Sequence, residues 1–542
     1  MVTRGRFNFD GRFTQQPLLA AAQRGGSAVA DFLLGHFNNS EGQIGAPVAN
    51  FRSNYFALFA QDNWKITPKL TLNYGIRWEN DQPFRDKHDA IVNIDFRWDN
   101  SFEPIYVRAG TGDPYAGSVP FRLASDIKYV RDGRFGSRAY RNDLNDIAPR
   151  LGIAYQINSK TVLRTGAGIY YVRDIGNAVF DIVRNAPFTV RRSEPAESFR
   201  PNLSFEQPFA RTGAPTFILI NQFDEPSSYV AQWSFGFQRE ITSDMTAEIT
   251  YFGSAGIHLR RLQSYNNAEP SQLPNTNNAR PFPKFGSFQV MNAPSHSSYH
   301  ALYMKAQRRF SNGLTFISSF AWGKSIDNGS GVRTTVGDSL TPSNNYNLGL
   351  ERGLSAFDFR RRSTTSGLWD LPIGKGKKLN LDNKVANAMI GGWQLGGIFT
   401  LQDGFPFTVL CGPGNIQNGG GVCYPDSTGI NPNLPRDQQT RSRFFNLDAY
   451  VNRIPATGNF RYGTTGRNSV TGPGIISLDA SLNKKFLFSE GRYLEFRTEV
   501  FNAPNHPIWS PPGNQLNTPN AGVITSTKID SRQLQFGLKL VF

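Results

Sequence analysis

The feature that most constrains this chain is a two-residue alternation sustained over unusually long stretches. After the turn Thr67-Pro68-Lys69, the residues Leu70, Leu72, Tyr74, Ile76 and Trp78 are apolar, whereas Thr71, Asn73, Gly75, Arg77 and Glu79 are small or polar. Successive side chains of a strand point to opposite faces, so this is an extended segment with two unlike sides. After Asp146 the pattern returns: Leu151, Ile153, Tyr155 and Ile157 alternate with Arg150, Gly152, Ala154 and Gln156. A turn at Asn158-Ser159-Lys160 leads to a partner carrying Leu163, Ala167, Ile169 and Tyr171. Residues 231–251 around Ser243-Asp244, 299–323 around Ser311-Asn312-Gly313, and 478–501 around Ser489-Glu490-Gly491 read as further hairpins with short turns. Stretches rich in Pro, Asn and Gly separate the hairpins, over approximately 80–146, 172–228, 254–298, 324–356 and 403–474.

A soluble sandwich also alternates, so other features must discriminate. The segments run about 10 to 12 residues, the span a tilted strand needs to cross a hydrocarbon layer, where globular strands average about five or six. Trp64, Trp78, Tyr170, Tyr171, Trp233, Tyr251, Phe310, Trp322 and Trp369 collect near segment ends, where an interfacial aromatic girdle would lie. Short turns at one end and long loops at the other is the layout of a bacterial outer-membrane barrel. The expected fold is therefore all-β: one antiparallel transmembrane β-barrel domain over residues 1–542, of roughly fourteen strands, from near Arg4–Phe13 to Phe542. With the short turns in the periplasm, the final strand runs inward. The connection from Leu371 to Ile390, containing Gly374-Lys375-Gly376-Lys377-Lys378, is longer than the other turns and is the weakest point of the count. Closure is obligatory, because backbone groups cannot stay unpaired in lipid.

Composition excludes several alternatives. Aromatics at 13%, 52 glycines and only 18% charged residues suit an all-β protein with many turns. No run of about 18 apolar residues occurs, which excludes a helical span. The net charge of +16 raises the question of a nucleic acid. Lys and Arg are scattered, however, and the densest cluster, Arg360-Arg361-Arg362, lacks the interleaved aromatics of a single-strand groove, so no nucleic-acid partner is expected. Cys411 and Cys423 lie in a Gly-rich stretch; they are either free thiols or a loop disulfide contributing about 2 to 3 kcal/mol in an oxidising compartment. The opening MVTRGRFNFDGRF has no secretory h-region, so truncation at the N-terminus is expected of an exported protein.

Enzymatic chemistry finds no constellation. The histidines are His36, His88, His258, His296, His300 and His506, and none stands in an HExxH or other metal-spaced motif. His296 and His300 lack a nucleophile elbow, and Gly374-Lys375-Gly376-Lys377 lacks the spacing of a phosphate loop. No catalytic residue, cofactor or metal site is expected. The functional candidates lie instead on the polar parity of the strands: Asn73, Arg77, Glu79, Arg164, Glu248, Lys305, Gln307, Arg309, Glu495, Arg497, Glu499, Gln535 and Lys539. Facing a lumen, such residues solvate the interior and brace a plug, or contact a substrate. The long loops are the better place for ligand capture.

Several blocks, in order along nearly the whole chain, resemble one family. FALFAQDNWKITPKLTLNYGIRWE (56–79), APRLGIAYQINSKTVLRTGAGIYY (148–171), ALYMKAQRRFSNGLTFISSFAWGKSID (301–327), GGWQLGGIFTLQDGFPFTV (391–409) and LEFRTEVFNAPNHPIW (494–509) are similar to the barrel of Oar-like TonB-dependent transporters. The resemblance implies a Gram-negative outer membrane and a 22-stranded barrel, preceded by a carboxypeptidase-regulatory-like sandwich and a plug that this sequence lacks. It also implies contact with the TonB complex only through that missing plug-side segment, and an unidentified transported substrate. Phe536, Leu538, Leu540 and the terminal Phe542 resemble the signal read by the barrel-assembly machinery. A passive porin or structural barrel without energy coupling is the alternative, and a soluble secreted β-protein the third reading.

Overall fold

Thirteen long strands, each hydrogen-bonded to the next in chain order, form one antiparallel meander in the computed structural model. The structure describes residues 5–14, 26–44, 49–117, 123, 125–173, 176, 179–196, 201, 203–206, 218–270, 280–332, 341–411, 422–452 and 461–542. The wall strands are β1 (Tyr55–Thr67), β2 (Leu70–Asp81), β3 (Asp146–Asn158), β4 (Thr161–Tyr171), β5 (Tyr229–Thr242), β6 (Met245–Tyr265) and β7 (Phe288–Ser311). They continue as β8 (Leu314–Asp327), β9 (Arg361–Asp370), β10 (Trp393–Gln402), β11 (Ile475–Ser489), β12 (Arg492–Phe501) and β13 (Gln533–Val541). Two short strands, Ile218–Asn221 and Gly353–Leu354, attach to β7 and β8 and bring the sheet to fifteen.

The alternation in the sequence becomes two unlike faces through the ladder register. Asn73 stands opposite Asn63 and Gly152, Arg77 opposite Phe59 and Ala148, and Glu79 opposite Ala57 and Asp146. One residue along, Tyr74, Ile76 and Trp78 pair with Leu151, Pro149 and Ile147, so the whole apolar set falls on the other side. That apolar face is bare: Leu58 and Leu538 each keep 70% of their surface exposed, and Ile76 keeps 53%. A water-soluble sheet would bury such a face against a second layer.

Five of the six turns at one end hold two residues each, between β1–β2, β3–β4, β5–β6, β7–β8 and β11–β12. At Asn312-Gly313 both φ angles are positive, 50° and 78°, the pairing that a tight hairpin with right-handed strand twist requires. The sixth connection, 371–392, carries a short helix, α2 (Lys384–Ile390); helix α1 (Ala28–Leu33) lies near the start of the chain.

At the opposite end the long connections are more ordered than their composition suggests. β6 and β7 run 21 and 24 residues, about twice what a crossing needs. The ladder shifts between Gly256, Leu259 and Arg261, beside His258 at φ 53°, and beyond this bulge Leu262 to Tyr265 and Phe288 to Met291 pass into a packed cap. Residues 254–298, expected as irregular loop, are therefore strand at both ends, over 254–265 and 288–298. The cap has its own apolar clusters, one around Tyr106, Ile218, Tyr265 and Phe288, another around Ile91, Ile182, Leu219 and Met291, and a third around Phe407, Phe445 and Val470. Asn185 bridges it by donating to the carbonyls of Val92 and Leu219, both at 2.6 Å, and accepting from Leu219 N–H at 2.9 Å. A sixth long connection, 502–532, was not among the expected loops.

The start of the chain departs from expectation. Arg4 lies outside the described residues, and Arg6–Asn8 pairs not with the wall but with Asn39–Ile44, which in turn pairs with Val190–Pro195 in a separate three-stranded sheet. The segment is too short to cross a membrane, and its Phe7 packs on Phe37 and Phe205. Among the described residues the meander thus begins at Tyr55 and has thirteen members where roughly fourteen were expected. Among the described residues no ladder joins β1 to β13, and both edge strands run from the capped end toward the short turns.

Candidate functional site: the polar face and the cavity above it

The register carries the polar parity across the sheet. Arg164 lies opposite Ala154 and Gly236, and Glu248 opposite Gln238 and Lys305. Gln307 pairs with Thr246 and Ile317. Near the far edge, Glu495 lies opposite Lys485 and Lys539, Arg497 opposite Asn483, and Glu499 opposite Ser481 and Gln535. Arg309 stands at the short-turn end, where its guanidinium donates to the Ser243 carbonyl at 3.1 Å. The candidates share a face without forming one cluster. Asn73, Arg77 and Glu79 gather on β2; Glu248, Lys305 and Gln307 sit mid-sheet; Glu495, Arg497 and Glu499 on β12 lie beside Lys539 on β13. The face is not uniformly polar, for Ile317, Leu368 and Ile398 form an apolar depression beside Glu499.

The group on β2 is the most elaborated. Gly75, Gly152, Gly166 and Gly168 place no side chain on the polar face and leave a furrow of about 520 Å³ between Phe59, Asn73, Arg150, Tyr170 and Phe252. Cross-strand pairing of Arg150 with Gly75 and Gly168, and of Gly152 with Gly166, sets these glycines side by side. A Cβ at Gly75 would lie 2.9 Å from the Ala60 carbonyl oxygen. The Arg150 guanidinium lies 4.6 Å from the centre of the Tyr170 ring. Tyr170 therefore belongs to the inner furrow and not to the outer girdle; its neighbour Tyr171 has the opposite parity.

Further along β2, toward the cap, Arg77 donates to Glu79 at 2.6 Å and to the Tyr55 hydroxyl at 2.9 Å, and that hydroxyl donates to Glu79 at 3.0 Å. This triad ends the furrow and opens a cavity of about 400 Å³ beneath the cap, lined by Tyr55, Glu79, Asp81, Asp143, Asp146, Arg173, Glu225 and Arg260. Arg173 approaches Asp81 at 3.7 Å and Arg260 approaches Glu225 at 3.4 Å. Asp146 is buried and accepts from the Ser227 hydroxyl at 2.9 Å. Carboxylates thus outnumber guanidiniums along this wall. The arrangement offers a polar ligand hydrogen-bond acceptors and three arginines, Arg141, Arg173 and Arg260, the last two lying over the rings of Tyr55 and Tyr140. Asp146, Tyr55, Asp81 and the glycine floor escaped the candidate set, although Asp146 and Gly75 stand on the same polar parity as Arg77.

Among the described residues no histidine lines the furrow or the cavity. His300 lies on the apolar face, where its Nδ1 is 2.8 Å from the Tyr251 hydroxyl, and Trp233 donates to that hydroxyl at 3.4 Å. Among the described residues no group of three or more His, Cys, Asp or Glu is placed to hold a metal. Cys411 and Cys423 are disulfide-bonded, with Cα atoms 5.4 Å apart.

The model of the outer membrane beta barrel domain family matches residues 2–535. The chain belongs to that family. The bare apolar face is accordingly a lipid-facing one, and the protein is a protein of the outer membrane. No curated protein sequence matches the chain. Among solved structures it is similar to the outer membrane transporter YddB from Escherichia coli, at 10% identity and TM-score 0.44, covering 93% of this chain and 55% of that one. It is also similar to the FrpB iron transporter from Neisseria meningitidis, at 12% identity and TM-score 0.38, covering 92% and 45%. A third is the ferripyoverdine receptor of the outer membrane of Pseudomonas aeruginosa, at 9% identity and TM-score 0.41, covering 91% and 39%. The chain thus spans about half the length of the solved structures it matches.

Proposed function

We propose that this outer-membrane barrel domain is the wall and mouth of a substrate transporter of the TonB-dependent kind, to whose barrel its sequence blocks are similar. The observation that supports the reading is the succession of polar sites along β2. The cavity under the cap and the glycine-floored furrow of the lumen-side face lie in line along this strand, one on either side of the hydrogen-bonded Arg77–Glu79–Tyr55 triad. A ligand caught by the cap would meet polar groups at each step inward, and the lumen-side charges would brace a plug. Phe536, Leu538, Leu540 and Phe542 would serve the assembly machinery. A passive porin would use the same face without energy input.

The two readings separate in the native organism. The gene is deleted, candidate solutes are screened for lost accumulation, and a protonophore is added to the parent strain. Energised transport predicts accumulation that needs both the gene and the proton gradient, and that falls when Arg77→Ala is introduced into a normally assembled protein. Gene-dependent flux indifferent to the protonophore would overturn it in favour of a porin.

A further inference from the structure

The connection 371–392 is an outlier among turns that otherwise hold two residues, and it folds back over the lipid-facing side of the sheet. Lys484 fixes its position. On β11 this residue is flanked by Leu482 and Phe486 on the apolar parity and pairs with Trp393. Yet it is 4% exposed, because its ammonium group donates to the carbonyls of Asn387 at 3.2 Å, Ala388 at 2.6 Å and Gly391. The three bonds go to carbonyls at the C-terminal end of α2, where such groups run short of partners within a helix, and of the three that of Asn387 also accepts from the Gly391 N–H at 3.0 Å. Trp393 supplies a further bond, its indole N–H donating to Met389 O at 2.9 Å, and its ring lies 5.3 Å from the Lys484 nitrogen. The short helix is thereby fastened to the outward face at the short-turn end.

What this fastening presents is amphipathic. Val385 and Met389, one helical turn apart, are 67% and 68% exposed, and Ile390 and Leu379 are 54% and 58% exposed. Beside them stand Lys375, Lys377, Lys378 and Lys384, all exposed, against Asp382 within the segment and Asp370 just before it, 3.8 Å from Lys377. Apolar side chains continuous with the lipid-facing band, next to a basic cluster, are the chemistry of a segment lying in a headgroup layer. Short turns mark the periplasmic end of such walls.

We infer that residues 371–392 form an interfacial foot, seating Val385, Met389 and Ile390 in the inner leaflet of the outer membrane while the lysines bind anionic phospholipid headgroups. The inference rests on the sheet's apolar face contacting lipid, and the experiment separates the two. The full chain, whose own cysteines are disulfide-bonded, receives a single nitroxide at Met389→Cys, at Leu538→Cys, or at Gly429→Cys in the cap, and is reconstituted in vesicles of phosphatidylethanolamine and phosphatidylglycerol. Expected at Met389 is collision with oxygen and protection from a water-soluble nickel relaxant, as at Leu538 and unlike Gly429. Nickel access at Met389 equal to that at Gly429, with Leu538 protected, overturns the foot alone; nickel access at Leu538 overturns the membrane reading. Spin-labelled phosphatidylglycerol gives the second readout. Neutralising Lys375, Lys377 and Lys378 to Gln should lower its preference over phosphatidylcholine, by up to roughly five-fold per lysine. An unchanged preference would assign the lysines no headgroup. Lys484→Met should raise the mobility of the Met389 label; an unmoved spectrum overturns the fastening.

Discussion

Arg261 shows how much of the cap is held by single side chains. Only 1% exposed, it donates to Glu351 at 3.0 Å and to the Asn328 carbonyl. Glu351 also accepts from Ser343 N–H at 2.8 Å and the Tyr424 hydroxyl at 3.2 Å, while Arg467 donates to the Glu351 carbonyl at 2.8 Å and pairs with Asp327. One carboxylate thus joins the cap end of β6 to segments from the connections after β8 and β10. Removing one member of a buried pair leaves the other charge uncompensated, so Glu351→Ala should cost the cap about 3 to 5 kcal/mol. Replacing Arg261 by Met as well should recover part of that loss. Limited proteolysis of the cap in the two variants measures the difference; equal sensitivity would show that the pair does not hold it. At the other end Asp244, in a two-residue turn, has its carboxyl held down to about 2 by the Thr242 hydroxyl, then by Ser311 and Arg308. A depressed carboxylate contributes stability that is complete above its ordinary value of 3.8 and is lost as the pH falls through about 2. The Arg308 Nε–H resonance should therefore shift with its midpoint near 2, and a midpoint near 3.8 would contradict the turn's hydrogen bonding. None of the cap partnerships could be read from sequence, since they join residues such as Arg261 and Glu351, 90 positions apart.

At the scale of elements, strand identity was legible and strand length was not. The alternation at 70–79 and 150–157 fixes both face and register, because a slip by one residue would turn Ile76 and Leu151 inward. Past the bulge at His258, β6 leaves the lipid and enters the cap, where both of its faces are buried; the alternation there no longer reports two environments, so 254–298 reads as loop. The polar parity correctly grouped Arg77 with Glu79 but passed over Gly75, Gly152, Gly166 and Gly168, because a glycine carries no polarity to flag and its effect is the space it leaves. In the connection between β10 and β11, the Cys411 amide donates to the Cys423 carbonyl at 3.0 Å beside the disulfide, and the Leu410 amide donates to Asn514 at 2.8 Å. Replacing both cysteines by serine should release about 2 to 3 kcal/mol of constraint from this element. Amide exchange at Leu410 should then accelerate while that of the wall strands does not; unaltered exchange at Leu410 would show that packing alone holds the connection.

For the molecule as a whole, the two-faced wall and the short-turn end could be anticipated from residue order, and the separate sheet containing Arg6–Asn8 could not, because its partners Asn39–Ile44 and Val190–Pro195 lie far along the chain. The orientation of the two outermost strands has a consequence of its own. An odd-numbered meander starts and finishes in the same sense, so β1 and β13 both descend toward the short turns. Two such margins brought together would be parallel neighbours, and no antiparallel seam can form between them. A second copy in the same bilayer offers only descending margins as well, so pairs or rings of this wall cannot zip shut by antiparallel pairing, however many copies gather. Whatever seals it against lipid by that pairing must offer ascending strands at both junctions, and so an odd number of them.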